Sequence, residues 1–161
     1  MNRKVKISIE KNKLLIISMI ISFLFGTYTL INQQIQKNKA NDIFISCIRR
    51  VEASFGIDYS KFDGEDKISY YMEASACLHT AISILPFTSY ADVENKTGSS
   101  TALTKLYMSI ALHATPQSNN RMIAFTEKAK AIERCLYFMS INPNDKKNWD
   151  SLSKIAEDIG Y

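Results

Sequence analysis

The sequence predicts an all-α protein: one N-terminal transmembrane helix followed by a helical-hairpin or bundle domain of about five helices. Three observations carry this. Glycine and proline are scarce, five and three in 161 residues, too few for the turns of an all-β fold. Apolar residues recur at three-four spacing through most of residues 40–159. Residues 14–31, LLIISMIISFLFGTYTLI, form a single uncharged run.

That run is the first element. No charge occurs between Lys13 and Lys37. A helix of this length spans about 27 Å, enough for the hydrocarbon core of a bilayer. Ser18, Ser22, Thr27 and Thr29 can hydrogen-bond back into the helix, and Tyr28 suits the headgroup level. The alternative is a cleavable signal peptide. An uncleaved anchor fits better, because the run exceeds a usual signal h-region and no Ala-x-Ala pattern follows.

The flanks orient it. Residues 1–13 carry Arg3, Lys4, Lys6, Lys11 and Lys13 against Glu10 alone, whereas only Lys37 and Lys39 precede Asp42 on the far side. The positive-inside rule makes 1–13 a cytoplasmic basic tail, 14–31 a signal-anchor and 32–161 an extracytoplasmic (periplasmic) domain. The expected location is a single pass of a bacterial cytoplasmic membrane.

The net charge of +4 resides in that tail, since the other 15 basic and 15 acidic residues cancel. A neutral domain lacks the basic stripe that phosphate binding requires, so no nucleic acid is expected as a partner.

In the domain, residues 40–55 place Ile43/Phe44, Cys47/Ile48, Val51 and Phe55 on one helical face, with Gly56 as a stop. Nothing in Asn32–Lys39 forbids this helix from running on out of the membrane. Residues 57–66 (IDYSKFDGED) read as a loop. An EF-hand fails there: with Gly64 as its glycine, Tyr59 and Lys61 fall where carboxylates are needed and Tyr70 where the bidentate Glu belongs. Asp66 is expected to cap the next helix, 67–85, whose stripe is Ile68, Tyr71/Met72, Leu78, Ile82 and Leu85. Ala74, Ala76, Cys77 and Ala81 form a small-residue flank for close helix approach.

Pro86 ends that helix, and 86–99 reads as a polar linker with one short turn at Ser89–Lys96. Ser99 or Ser100 caps a third helix with Leu103, Leu106/Tyr107, Ile110 and Ala114 inward. After a loop at 115–120, a fourth helix over 121–141 carries Met122, Phe125, Ala129, Ile132, Leu136 and Met139. Asn142-Pro143-Asn144 breaks the chain, and a fifth helix follows with Trp149, Leu152, Ala156 and Ile159 up to Gly160.

Cys47, Cys77 and Cys135 all lie in the domain. In an oxidising compartment one pair could bridge and one thiol would remain. Cys77 with Cys135 is the preferred pair, both mid-helix and both followed by Leu. The other reading is three buried small hydrophobes.

Segments 73–86 (EASACLHTAISILP) and 130–143 (KAIERCLYFMSINP) share a frame, with Ala74 matching Ala131 and Pro86 matching Pro143. From Ala131 onward, the turn Asn142-Pro143-Asn144, then Trp149, Leu152 and Ser153, with Gly160 at the next turn, resemble a tetratricopeptide repeat boundary. Phe138 and Cys135 depart from that pattern, as do Ile48 and Tyr107 at the small-residue positions of two earlier helices. The resemblance implies a scaffold with a groove for a peptide or helix.

Phosphate loops, nucleophile elbows and H-E-x-x-H are absent from the sequence. His79 and His113 read as surface or packed histidines, and Glu73, Glu127 and Glu133 as solvated faces. No cofactor or metal is expected, and the protein is not expected to be an enzyme. The expected function is a membrane-anchored protein-interaction module, a scaffold or accessory subunit of an envelope complex. The alternative is an immunity protein that neutralises a toxin acting in the periplasm. A similarity of plan to the helical periplasmic immunity proteins of secreted amidases lies in Ser46-Cys47-Ile48 and Arg134-Cys135-Leu136. The expected partners are therefore an envelope protein or a toxin, and the bilayer through residues 14–31. Ser18 and Ser22 form a small-xxx-small pair compatible with a homodimer.

Overall fold

The structure, a computed structural model, describes residues 3–57, 64–93, 102–113 and 119–159. It is all-α. The elements are α1 (Arg3–Phe55), α2 (Gly64–Ile84), a 3-10 turn (Leu85–Phe87), α3 (Ala102–His113), α4 (Asn119–Ile141) and α5 (Lys146–Ile159). The chain divides into two units, Met1–Lys37 and Asn38–Tyr161, and α1 contributes to both.

In the first unit α1 carries the uncharged run. Its large apolar side chains from Leu14 to Ile31 are 53–72% exposed, and the most apolar stretch has a mean hydropathy of 2.2 with none of it buried. Such a helix is long and apolar enough to cross a membrane. Its two threonines are satisfied within the helix. Thr27 Oγ1 donates to the carbonyls of Phe23 (3.1 Å) and Leu24 (2.9 Å), and Thr29 Oγ1 to that of Gly26 (2.8 Å). The run therefore presents an apolar surface with few unmet polar demands.

In the second unit the rest of α1 is buried along Ala40, Phe44, Ile48, Val51 and Phe55, as the three-four spacing expects. Ile43, expected inside, is 45% exposed because it sits one position off this stripe. Gly56 ends the helix, its N–H donating to the carbonyls of Glu52 and Ala53. A Cβ at Gly56 would lie 3.1 Å from Glu133 Oε1, so a hydrogen there lets α4 approach closely.

Helix α2 begins at Gly64, so Asp66 falls inside its first turn rather than at a cap. Of the expected stripe, Leu78 and Leu85 are buried and Tyr71 and Ile82 partly so, whereas Met72 is 68% exposed; of the expected flank, Ala74, Cys77 and Ala81 join the buried seam and Ala76 is exposed. The small residues Ala74, Cys77 and Ala81, spaced three and four apart, let neighbouring backbones come close, and the helix rotates to present them. The expected loop at 57–66 lies largely outside the described residues, and so do Ser99, Ser100, Ala114 and Gly160.

The polar linker is more structured than its composition suggests. Thr88 is buried and donates to the Leu85 carbonyl (2.7 Å), while its hydroxyl accepts from the Tyr90 N–H (3.1 Å). Asn41 of α1 accepts from both the Ser89 N–H (2.9 Å) and the Ser89 hydroxyl (3.2 Å). Tyr90 then reaches Phe44, with ring centroids 5.6 Å apart.

Helices α3 and α4 bury Ala102, Leu103, Leu106 and Ile110, and Ile132, Leu136 and Met139. The side chains of Met122 and Phe125 lie outside the described residues. The break after α4 is a turn closed by Asp145 N–H to Asn142 O (3.1 Å), and Asp145 Oδ1 caps α5 by accepting from the Lys147 N–H (3.0 Å). Helix α5 packs against both α3 and α4 and buries Trp149, Leu152, Ala156 and Ile159, the stripe its sequence predicts. The indole N–H of Trp149 donates to the Pro143 carbonyl (2.8 Å), so this buried polar group is satisfied. Lys105 of α3 donates to Ser153 Oγ (3.1 Å) and pairs with Glu157, tying α3 to the outer edge of α5.

Candidate interaction surface

Two features of the second unit combine exposure with chemistry. The first lies on α1. Asp42, Ser46 and Arg50 recur every four residues and form an exposed ridge with an open cleft on each side. One cleft, about 520 Å³, is walled by Asn41, Ile45, Arg49 and Tyr90. The other, about 430 Å³, is walled by Ile43 and Cys47 of α1 and by Ala76, Cys77 and Thr80 of α2.

Cys47 and Cys77 meet in the second cleft. Burial pushes the Cys47 thiol above its usual value. The charge and the hydrogen bond of Cys77 push it the same way, against the Arg50 guanidinium. All three cysteines are free thiols in the structure. The cysteine beside Cys77 is thus Cys47. Cys135, half-buried on α4, has its thiol raised by burial and lowered by Arg134, with no cysteine acting on it. The expected pairing of Cys77 with Cys135 rests on the Leu after each, which fixes a position on a helix but not the neighbouring helix. Nothing in the sequence separates the pairs, since Cys47, Cys77 and Cys135 each precede a core residue, Ile48, Leu78 and Leu136.

The second feature is on α4. Tyr137 (47%), Phe138 (42%) and Ile141 (59%) are exposed on the side opposite Leu136 and Met139. Tyr137 and Phe138 meet edge to face at 5.4 Å, and the Arg134 guanidinium sits 5.8 Å from the Phe138 centroid. The sequence reading registered Phe138 only as a departure from a repeat pattern. An apolar pair just outside the buried stripe was the signal.

The remaining polar residues are arranged structurally. His79 is exposed, its ring 6.0 Å from that of Tyr107. The side chain of His113 lies outside the described residues. Glu73 and Glu127 are exposed, but Glu133 is half-buried and pairs with Lys130 at 3.0 Å. Among the described residues no three His, Cys, Asp or Glu side chains converge as a metal site would require. No family model, curated protein or solved structure matches this chain.

Proposed function

We propose that this protein is a membrane-anchored helical interaction module. Residues 14–31 hold it in a bacterial cytoplasmic membrane, and its extracytoplasmic domain binds a partner protein as a scaffold or accessory subunit of an envelope complex. The observation that carries this reading is the exposed group Arg134, Tyr137, Phe138 and Ile141 on α4. Aromatic side chains and arginine are enriched among the few residues that carry most of the binding energy at protein interfaces. The uncovered apolar surface of Leu14–Ile31 supports the anchor, and the basic leader supports an inward N-terminus. The resemblance of α4 and α5 to a tetratricopeptide boundary supports a helical hairpin that presents a surface to another chain.

Two measurements test it. Protease added outside spheroplasts should digest the domain and spare the N-terminal tail; full protection of the domain would reverse the topology. Full-length protein captured in mild detergent should retain one specific partner that the variant Y137A/F138A/I141A loses with its melting temperature unchanged. A partner retained by that variant, or none in either form, would overturn the assignment. A resident envelope partner supports the scaffold, whereas a partner present only alongside a toxin-secreting strain supports the immunity role.

A further inference from the structure

We infer that Cys47 and Cys77 are a dithiol pair that closes to an intramolecular disulfide between α1 and α2 by exchange with a small-molecule disulfide such as oxidised glutathione. Three features lead there. The two thiols face one cleft from α1 and α2, close enough for Cys77 to act directly on the Cys47 thiol, and among the described residues they belong to no cluster that could hold a metal. They line one side of the open cleft of about 430 Å³, which admits a reagent from solvent. They also differ in access: Cys47 is half-buried, whereas Cys77 is 9% exposed at the edge of the core. The pairing stands on these thiols alone and does not rest on which side of a membrane the domain occupies.

Access sets the order of the steps. Cys47, the more exposed, loses its proton and attacks one sulfur of the oxidised glutathione, expelling a glutathione thiolate. The Cys77 thiolate then attacks the Cys47 sulfur of the mixed disulfide and expels the second glutathione thiolate. The two cysteines are oxidised, the glutathione disulfide is reduced, and the two protons released by the cysteines end on the two glutathione thiols. Arg50 on the ridge lies beside Cys47 and opposes burial without outweighing it, so the thiol stays above its usual value and the exchange quickens as the pH rises. Cys135 has no cysteine acting on it and remains a single thiol.

The bridge would join α1 to the seam of α2 and shorten the free chain between residues 47 and 77. Restricting the unfolded chain in this way raises the melting temperature by roughly 10 °C. Because α2 carries the wall of the cleft, the bridge also fixes that wall against the ridge.

The test uses purified full-length protein in detergent, equilibrated in glutathione buffers from reducing to oxidising, quenched with acid, alkylated and read by intact mass and peptide mapping. Wild type and C135S should lose the Cys47 and Cys77 thiols together and yield one crosslinked peptide containing both. C47S and C77S should yield glutathione adducts and no internal bridge. C47A serves beside C47S, with Trp149 fluorescence as a check on folding. A crosslink between Cys77 and Cys135, or glutathione retained on Cys47 while Cys77 still alkylates, would overturn the inference. Since the anchor and its orientation do not enter this experiment, its failure would leave the proposed function standing.

Discussion

The ring of Phe44 in α1 lies against the indole of Trp149 in α5, with centroids 6.1 Å apart and planes 18° from parallel. Both side chains are fully buried. One belongs to the helix that carries the uncharged run and the other to the last described helix. The core is thereby closed between its two most distant elements in sequence. Tyr90 leans on the other side of Phe44, so the linker after α2 joins the same contact.

Replacing Phe44 with Ala should destabilise the domain by about 3–5 kcal/mol, because the lost ring leaves a cavity bounded by Trp149 and Tyr90. Trp149 is the only tryptophan, so its emission reports the site directly. The expected outcome is a red-shifted emission and a large drop in the urea midpoint. Phe44→Leu should recover most of the stability, since it refills much of the volume.

Asn41→Ala removes the acceptor of both Ser89 bonds. One of these satisfies a backbone N–H at the start of the turn, so a loss of about 1 kcal/mol is expected. Hydrogen exchange should locate it: the Ser89 amide should exchange faster while the amides of α5 stay protected. Unchanged exchange at Ser89 would mean that the turn is held by Thr88 alone.

Glu52 gives a pH dependence with a definite sign. Burial, and then the nearby Glu133 carboxylate, raise its pKa from the ordinary value of 4.5, against the pull of Arg49. A raised carboxyl binds its proton more tightly in the folded state than in the unfolded one. Its contribution is fully present below the unfolded pKa and is lost as pH rises through the folded one. Glu52→Gln should therefore raise the melting temperature at pH 7 by about 1–2 °C and make little difference below about pH 4. A benefit that persisted at low pH would mean that the charge is not its cause.

Ile20→Arg places a charge at the middle of the uncharged run. The cost of inserting arginine at the centre of a membrane helix is about 2.5–3.5 kcal/mol. Carbonate extraction should move the variant from the membrane pellet toward the soluble or aggregated fractions, while wild type stays in the pellet. The intact mass of the wild-type protein from membranes should correspond to an uncleaved anchor, and a mature chain beginning near Asn32 would identify a signal peptide instead.

Much of the fold was legible because one-dimensional periodicity reports local geometry well. The α5 stripe of Trp149, Leu152, Ala156 and Ile159 is read from spacing alone, and so are Phe44, Ile48 and Val51 on α1. The helix at 67–85 was less legible. Tyr71 and Met72 offer far more apolar surface than alanine, yet the buried seam runs through Ala74 and Ala81. Hydropathy ranks side chains by their affinity for water, whereas a close helix crossing selects them by size. The turn at 85–93 was legible only in part. A short turn was expected from Ser89, and Thr88 holds its start through local bonds, but the bonds to Asn41, far away in the chain, could not be read from any pattern in 86–99.

The candidate site was legible in its parts and not in its pairings. Composition located three cysteines, and charge separated a basic leader from a neutral domain. Which thiols meet depends on how α2 turns about its own axis against α1, and a rotation of one residue position would place Ala76 where Cys77 now stands. The exposed aromatic pair on α4 depends in the same way on which side of that helix α5 covers. Sequence by itself determined most of what α1 and α5 bury in the domain, because burial there follows from period and polarity along one segment. Tertiary structure alone decided which side chains from different segments touch, because that is set by the mutual packing of whole faces.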